Sequence, residues 1–452
     1  MIAGGLVLVL AAVWFFTGGD SDGRTSEEDP TAASERCSFP ACRAAATLAL
    51  ARGFEGPSVE VDPKDPRHIV VTDANMTAAH CTFHVTFDGG KEWTDGVFQV
   101  PPGYTGCKIN GGSGGHVPTG PNGVAFGPSG TIYATFGSAL SDDGTRESVM
   151  LGTSTDGGKS FTVRPVSRPL ADNIGYARPQ MSAAAAPDGR DRVLISFWQC
   201  RDRSFCDQAL FVRSDDGGMT FTEPVIFNDQ PAGQIPSAPI QAPDGVIYAT
   251  FARRFADGPS DLFLARSTDG GTTFTYTRIE SQPQIGNQYD PGKIALDPRS
   301  GALYVVFTDA RLGRQQVVFR RSDDKGTTWS APLGLSPDQA ATGEARSPTI
   351  SVAPNGRIDI AYYRSRSTGI DDVYWVSSSD GGVRFVHRQV NDSPIQRTKY
   401  TEAIGNWYPP DVASTDDAAF VAWSDTKNAD QVSNTQDVLL RRMQPTGAGP
   451  PP

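Results

Sequence analysis

The feature that most limits what this chain can fold into is a short string that occurs six times. It reads TFDGGKEW at 86–93, STDGGKSF at 154–161, SDDGGMTF at 214–221, STDGGTTF at 267–274, SDDKGTTW at 322–329 and SSDGGVRF at 378–385. The shared pattern is Ser/Thr-x-Asp-x-Gly-x-x-aromatic, with successive aspartates 53 to 68 residues apart. Upstream of each copy lies a second repeat, a short apolar segment, a Pro/Asp/Gly turn and a β-rich segment, as in PSAPIQAPDGVIYATF at 236–251 and PTISVAPNGRIDIAYY at 348–363. A seventh copy of this second repeat, PPDVASTDDAAFVAW at 409–423, has no Asp string after it. Each unit therefore reads strand A, tight turn, strand B, variable loop, strand C, Asp string, strand D. Alternation of apolar and polar residues in DLFLARS (261–267) and QVVFRRS (316–322) agrees with strands.

Four short antiparallel strands in a unit repeated every few tens of residues predict an all-β β-propeller. Seven A–B units predict seven four-stranded blades, with six as the alternative count, and place the Asp strings on the C–D turns. Unit seven lacks a D strand. The segment ATLALARG (46–53) is expected to supply it, closing the ring by pairing the two ends of the chain. The domain plan is then a signal or membrane anchor at 1–19, a flexible acidic stalk at 20–45, the propeller at 46–445 and a disordered tail at 446–452.

The string closely resembles the Asp box, or bacterial neuraminidase repeat, of the sialidase superfamily, and the resemblance runs from Pro57 to the seventh unit. The chemistry of the string is structural. An Asp in a tight turn accepts hydrogen bonds from turn amides, and Gly supplies the positive φ. Asp88, Asp156, Asp216, Asp269, Asp324 and Asp380 are accordingly read as fold-building residues, and function is expected on the opposite face, where the long, varied D–A and B–C loops gather.

The resemblance implies a Tyr nucleophile paired with a Glu, an Asp acid/base and three arginines for a sugar carboxylate, because arginine forks bind carboxylates bidentately. By position on the variable face, the nominees are Tyr408 or Tyr289 as nucleophile, Glu402 or Glu344 as its partner and Asp73 as acid/base. Arg178, Arg254 and Arg346 are nominated for the carboxylate, with Tyr289 and Asp290 beside them. The early Phe/Tyr-Arg-Ile-Pro string of sialidases does not occur. Two functions stay open: an exo-sialidase-type hydrolase, and a non-catalytic envelope propeller that binds a glycan or a protein.

Composition narrows the field. With 48 glycines and 34 prolines in 452 residues, a helical bundle is excluded. A net charge of −11 without a Lys/Arg run gives a nucleic-acid partner no support. No structural zinc motif, P-loop or Gly-x-Ser-x-Gly elbow is present. No cofactor is expected, although acidic loops such as SDDGTRES (141–148) and TGIDDV (368–373) leave calcium open. Residues 2–16, IAGGLVLVLAAVWFF, read as an uncleaved membrane anchor or an export signal. Six cysteines in three local pairs, Cys37 with Cys42, Cys81 with Cys107 and Cys200 with Cys206, read as disulfides of an oxidising compartment. The expected product is an extracytoplasmic, secreted or anchored monomer.

Overall fold

The computed structural model describes residues 43–44, 54–75, 80–104, 106, 123–140, 147–167, 174–201, 205–228, 236–254, 260–281, 292–311, 313–335, 343–397, 409–426 and 437–445. They form seven antiparallel sheets and no α-helix. Six sheets are built from consecutive strands A to D, spanning 54–97, 123–167, 174–226, 240–280, 293–334 and 345–389, which we number blades 1 to 6. In blade 6 an extra short strand, Ile395–Gln396, pairs with strand C. Blade 7 takes strands A to C from Asp411–Ser414, Ala419–Asp425 and Asp437–Met443. Its outermost strand is Arg43–Ala44, paired antiparallel with Leu439 and Val438. The ring thus closes as expected, with residues a few positions earlier than the 46–53 segment. Two ladder positions suffice, because the inner three strands already carry the sheet.

Each A strand neighbours the A strands of the blades before and after it, around the full circle. Between every pair of adjacent blades lies a separate apolar cluster. Strand B of blade 5 (Leu303–Asp309) shows how sequence builds this. Leu303, Val305 and Phe307 pack toward blade 4, whereas Tyr304 and Val306 pack toward blade 6. Period-2 alternation normally separates core from solvent; here both faces of the sheet are core, so both sets are apolar.

The Asp strings occupy the C–D turns. In blade 4 the Ser267 hydroxyl donates to Asp269 Oδ1 at 2.8 Å and accepts from the Gly271 amide at 2.7 Å. Asp269 Oδ1 also accepts from the Thr272 and Thr273 amides at 3.0 Å, and Thr273 Oγ1 donates to Oδ2 at 2.6 Å. These bonds hold the carboxyl well below its ordinary pKa. The same pattern holds Asp156, Asp216 and Asp324 at about 2. Gly271 has φ +88°, and a Cβ there would lie 2.1 Å from the Phe211 ring of blade 3. Glycine is required by backbone and by neighbour. Blade-to-blade ties add to this: Arg213 donates to the Gly270 carbonyl, and Arg321 to the Gly381 carbonyl at 2.9 Å.

Cys200 opposes Cys206 across strands B and C of blade 3. Cys81 is buried in the cluster between blades 1 and 2, and Cys81 and Cys200 are both disulfide-bonded. Cys37, Cys42 and Cys107 lie outside the described residues, as does the side chain of Cys206. No helix among the described residues is long and apolar enough to cross a membrane.

Candidate functional site on the variable face and channel

Strand A descends from the variable face to the A–B turn, B returns, C descends to the Asp string and D returns. Seven A–B turns are closed by the same backbone bond, made by the amides of Asp62, Gly127, Ala186, Ala242, Asp297, Ala353 and Thr415. This common mark lets equivalent positions be read around the ring. Four residues before it stand Ser58, Gly123, Ser182, Ala238, Lys293, Thr349 and Asp411, and all seven line one central cavity of about 320 Å³. Five of these are small or hydroxyl residues; Lys293 and Asp411 carry charge. Two residues further down, Glu60 is the one charged residue among Ala125, Ala184, Ile240, Ala295, Ser351 and Ala413. Arg178 lines the same cavity nearer the variable face.

Asp411 sits on the seam where the ring closes. Its Oδ2 accepts from Ser58 Oγ at 3.0 Å and from the Val59 amide at 2.9 Å, and its Oδ1 accepts from Thr349 Oγ1 at 3.2 Å. Blades 6, 7 and 1 therefore meet on one carboxylate. Burial raises its pKa despite those donors. Glu60 beside it is pushed up to about 8 by burial, against the pull of the Val61 amide, with Asp411 adding to the rise. Lys293 Nζ crosses from blade 5 to Gln180 Oε1 of blade 3 at 3.0 Å, and its charge is felt at Asp411.

The variable face carries a second constellation, in blade 6. Arg346, near the start of strand A (Ala345–Val352), places Nη2 2.6 Å and Nη1 3.3 Å from the two oxygens of Asp371. Arg397, after the extra strand, places Nε 2.9 Å from the same Asp371 Oδ2. Ser365 donates to Asp371 Oδ1 at 2.7 Å, and the Tyr363 ring lies 5.6 Å from the Arg346 guanidinium. Asp371 is fully buried, Arg346 is nearly so, and the Arg397 side chain is about one-third exposed (34%). Burial and the neighbouring Arg346 charge lower the Arg397 pKa, with Asp371 and Glu344 opposing. Two guanidiniums meet on Asp371, Glu344 acts on Arg397 from the exposed side, and the accessible part of the cationic pair belongs to Arg397.

The nominated residues fall into three groups. Arg178 and Arg346 are buried at the variable-face ends of their A strands, but only Arg178 lines the channel cavity. Arg254 closes the B–C ladder of blade 4 opposite Ser260, and its side chain lies outside the described residues. Asp73 is wholly buried: Thr82 donates to one oxygen, and His84 Nε2 lies 3.3 Å from the other. His84 Nδ1 meets Asp95 at 2.6 Å. Burial alone would lower the His84 pKa, but the two aspartates carry it up to about 9. Asp73 is thus the counter-ion of a buried imidazolium, sealed from the face where an acid/base would work. Tyr408, Glu402, Tyr289 and Asp290 lie outside the described residues, and Glu344 is exposed beside the Arg397 site.

The TGIDDV loop, a calcium candidate from sequence, gives its carboxylates to arginines instead: Asp371 as above, and Asp372 to Arg366. Among the described residues no group of three or more His, Cys, Asp or Glu gathers as a metal site. Arg397 and Lys293 were not legible as site residues in the sequence. Both sit in strings unlike their counterparts in other blades, which is the signal that could have found them.

Comparison with known proteins agrees with this architecture. Residues 82–360 match the BNR repeat-like domain, more than half of the chain. The chain belongs to the BNR repeat-like family. That places it among sialidase-type Asp-box propellers. No curated protein matches. Among solved structures, a protein of unknown function from Dyadobacter fermentans is 15% identical with a TM-score of 0.51, covering 72% of this chain and 94% of its own. A PL25 ulvan lyase bound to -[GlcA(1-4)Rha3S]- is 14% identical with a TM-score of 0.51, covering 87% of this chain and 94% of its own. The Hadza microbial sialidase Hz136 is 15% identical with a TM-score of 0.48, covering 80% and 73%. At such identities the likeness is one of fold.

Proposed function

We propose that this BNR-repeat propeller is an extracytoplasmic recognition protein for carboxylated glycans, binding them on the variable face without sialidase-type turnover. The observation that carries the reading is the Arg346–Asp371–Arg397 set: Asp371 fixes two guanidiniums, and Arg397 keeps an accessible edge for a ligand carboxylate. The same set weakens the hydrolase reading, because Arg346 spends its fork on a protein carboxylate. Asp73, committed to His84, is likewise unsuited to proton transfer with a bound sugar. In this reading the protein works as a monomer outside the cytoplasm, secreted or held by its N-terminal apolar run. Cys200–Cys206 and Cys81–Cys107 are its local disulfides.

The test is calorimetric titration of the purified protein with glucuronate-containing oligosaccharides and with sialyllactose, alongside a fluorogenic sialoside assay. Binding that weakens about tenfold in Arg397→Ala, with no sialoside cleavage, is the expected result. Sialoside turnover abolished by Tyr408→Phe would replace this reading with the hydrolase.

A further inference from the structure

The seams of the ring are not equivalent. In blades 1 to 6 the four strands are consecutive in the chain, whereas blade 7 joins its two ends. Among the described residues, the outermost strand of blade 7 holds its C strand at two ladder positions, Arg43 with Leu439 and Ala44 with Val438. The seam between strands A to C of blade 7 and blade 1 is therefore where the ring can part with the fewest backbone bonds broken.

A charged row is set into that seam. Ile69 and Val71 of blade 1 pack with Phe420, Val438 and Leu440 of blade 7. His84 is the ladder partner of Val71, and Asp95 is the ladder partner of His84, so strand alternation turns both toward blade 7. Phe83 and Val85, on the other face of the same strand, pack toward blade 2. Asp73, two residues beyond Val71, completes the row. The side chains of Asp73 and His84 have no exposed surface, and that of Asp95 is 12% exposed. Across the seam, alternation places Arg442 on the face of Val438 and Leu440, and Asp411 is held there by Ser58 and the Val59 amide. Asp425 and Asp437 lie on the opposite face of blade 7, Arg441 reaches Asp392 of blade 6, and Arg43 stands opposite Leu439, which packs on the blade 6 side.

We infer that His84 is a proton-operated latch on this seam: charged, it holds blade 1 closed against blade 7, and loss of its proton parts the two blades while blades 2 to 6 stay folded. The geometry demands the charge. Nε2 lies 3.3 Å from Asp73 and Nδ1 2.6 Å from Asp95, so each ring nitrogen faces a carboxylate. An imidazolium donates to both; a neutral ring has one N–H and turns a lone pair on the other acid. In a site sealed from water that contact is repulsive, and it is relieved only when water enters, which needs the blades to separate. Burial favours the neutral ring, but the two aspartates outweigh it and carry the pKa up to about 9, so the latch holds at neutral pH and releases in alkali. The inference does not depend on the glycan reading of blade 6.

The test is hydrogen exchange read by mass spectrometry at pH 7 and about pH 10, with exposure times scaled for faster intrinsic exchange. Strand C of blade 7 (Asp437–Met443) and strand A of blade 1 (Phe54–Val61) lose the clasp and the Asp411 bond on opening. Their protection should fall more than about tenfold at the higher pH, against less than about twofold for Ile247–Arg254 and Leu303–Asp309 of blades 4 and 5. Asp95→Asn supplies an amide that can donate to a neutral ring, so its seam should stay protected at both pH values. Glu60 also loses its proton over this interval and is retained in that variant, so a step that survives there belongs to Glu60. A wild-type seam as protected at about pH 10 as blades 4 and 5 overturns the inference. So does an Asp95→Asn seam that opens in alkali.

Discussion

The two faces of the ring are made from the same strands yet obey different rules. On the Asp-string face, six turns repeat one hydrogen-bond pattern, and any departure costs stability. On the variable face the strand ends carry Asp73, Arg178, Arg346 and Asp371, and each of these charges recurs in only some of the blades. Repetition marks what the fold needs from every blade, and deviation marks what one blade does alone. The channel shows this most plainly: five of seven equivalent positions are small or hydroxyl residues, and the two exceptions, Lys293 and Asp411, are the ones with chemistry.

The comparison breaks first if the Asp-string face tolerates change. Gly271→Ala is expected to cost about 2–4 kcal/mol, because it adds a clash with Phe211 to an unfavourable positive φ. Denaturant melts should show it, with glycan affinity per folded molecule unchanged. Ser267→Ala should cost about 1–2 kcal/mol, since it strands the buried Gly271 amide. Asp269→Ala should cost less than Ser267→Ala, because Asp269 is exposed and water can serve its amide partners; the reverse order would refute the account of which residue organises the turn.

A third test sharpens the contrast through pH. His84, raised to about 9, contributes stability that is complete below its ordinary value of 6.5 and is lost as pH rises through 9. Glu60, raised to about 8, makes the folded state hold a proton that the unfolded chain gives up above 4.5, so stability falls from there to about 8. The Asp strings, with pKa values held down to about 2, lose their contribution only as pH falls below the ordinary 3.8. Melting temperature should therefore peak on the acid side of neutrality and decline between pH 6.5 and 9, and Glu60→Gln should flatten part of that decline. A melting temperature that rises over this interval would contradict both burial assignments. The smallest stability effect belongs to the variable face: Arg397→Ala should stay within about 0.5 kcal/mol of wild type, since Arg346 still neutralises Asp371, while glycan binding drops.

Blade count, strand order, turn placement and the closure of the ring were legible in the sequence because each is repeated, and six or seven copies average out local noise. The site was less legible for the complementary reason. Arg346 was found by its place before an A strand, but its partner Asp371 lies 25 residues away in sequence, across the B–C hairpin. Asp73 looked like an acid at a strand end, and only packing reveals His84 on the neighbouring strand, diagonal to it and two residues beyond its ladder partner Thr82. Lys293 and Asp411 face one lumen from blades 5 and 7, a proximity that no spacing along the chain encodes. The clasp was placed several residues late, since a two-residue edge strand leaves almost no alternation to read.

The pairing of Arg43–Ala44 with Val438 and Leu439 also sets a timetable. Among the described strands, the first to be synthesised has no partner until the last one has been made. Blades 1 to 6 can condense in order as they appear, each new sheet covering the apolar face of the one before, but the circle stays open with a bare flank until the end. A chain crossing a membrane linearly before folding would meet that deadline at no cost. A chain stalled partway would expose the flank of blade 1 for as long as the stall lasted, so folding success in this protein should depend on the speed with which its last segment is delivered.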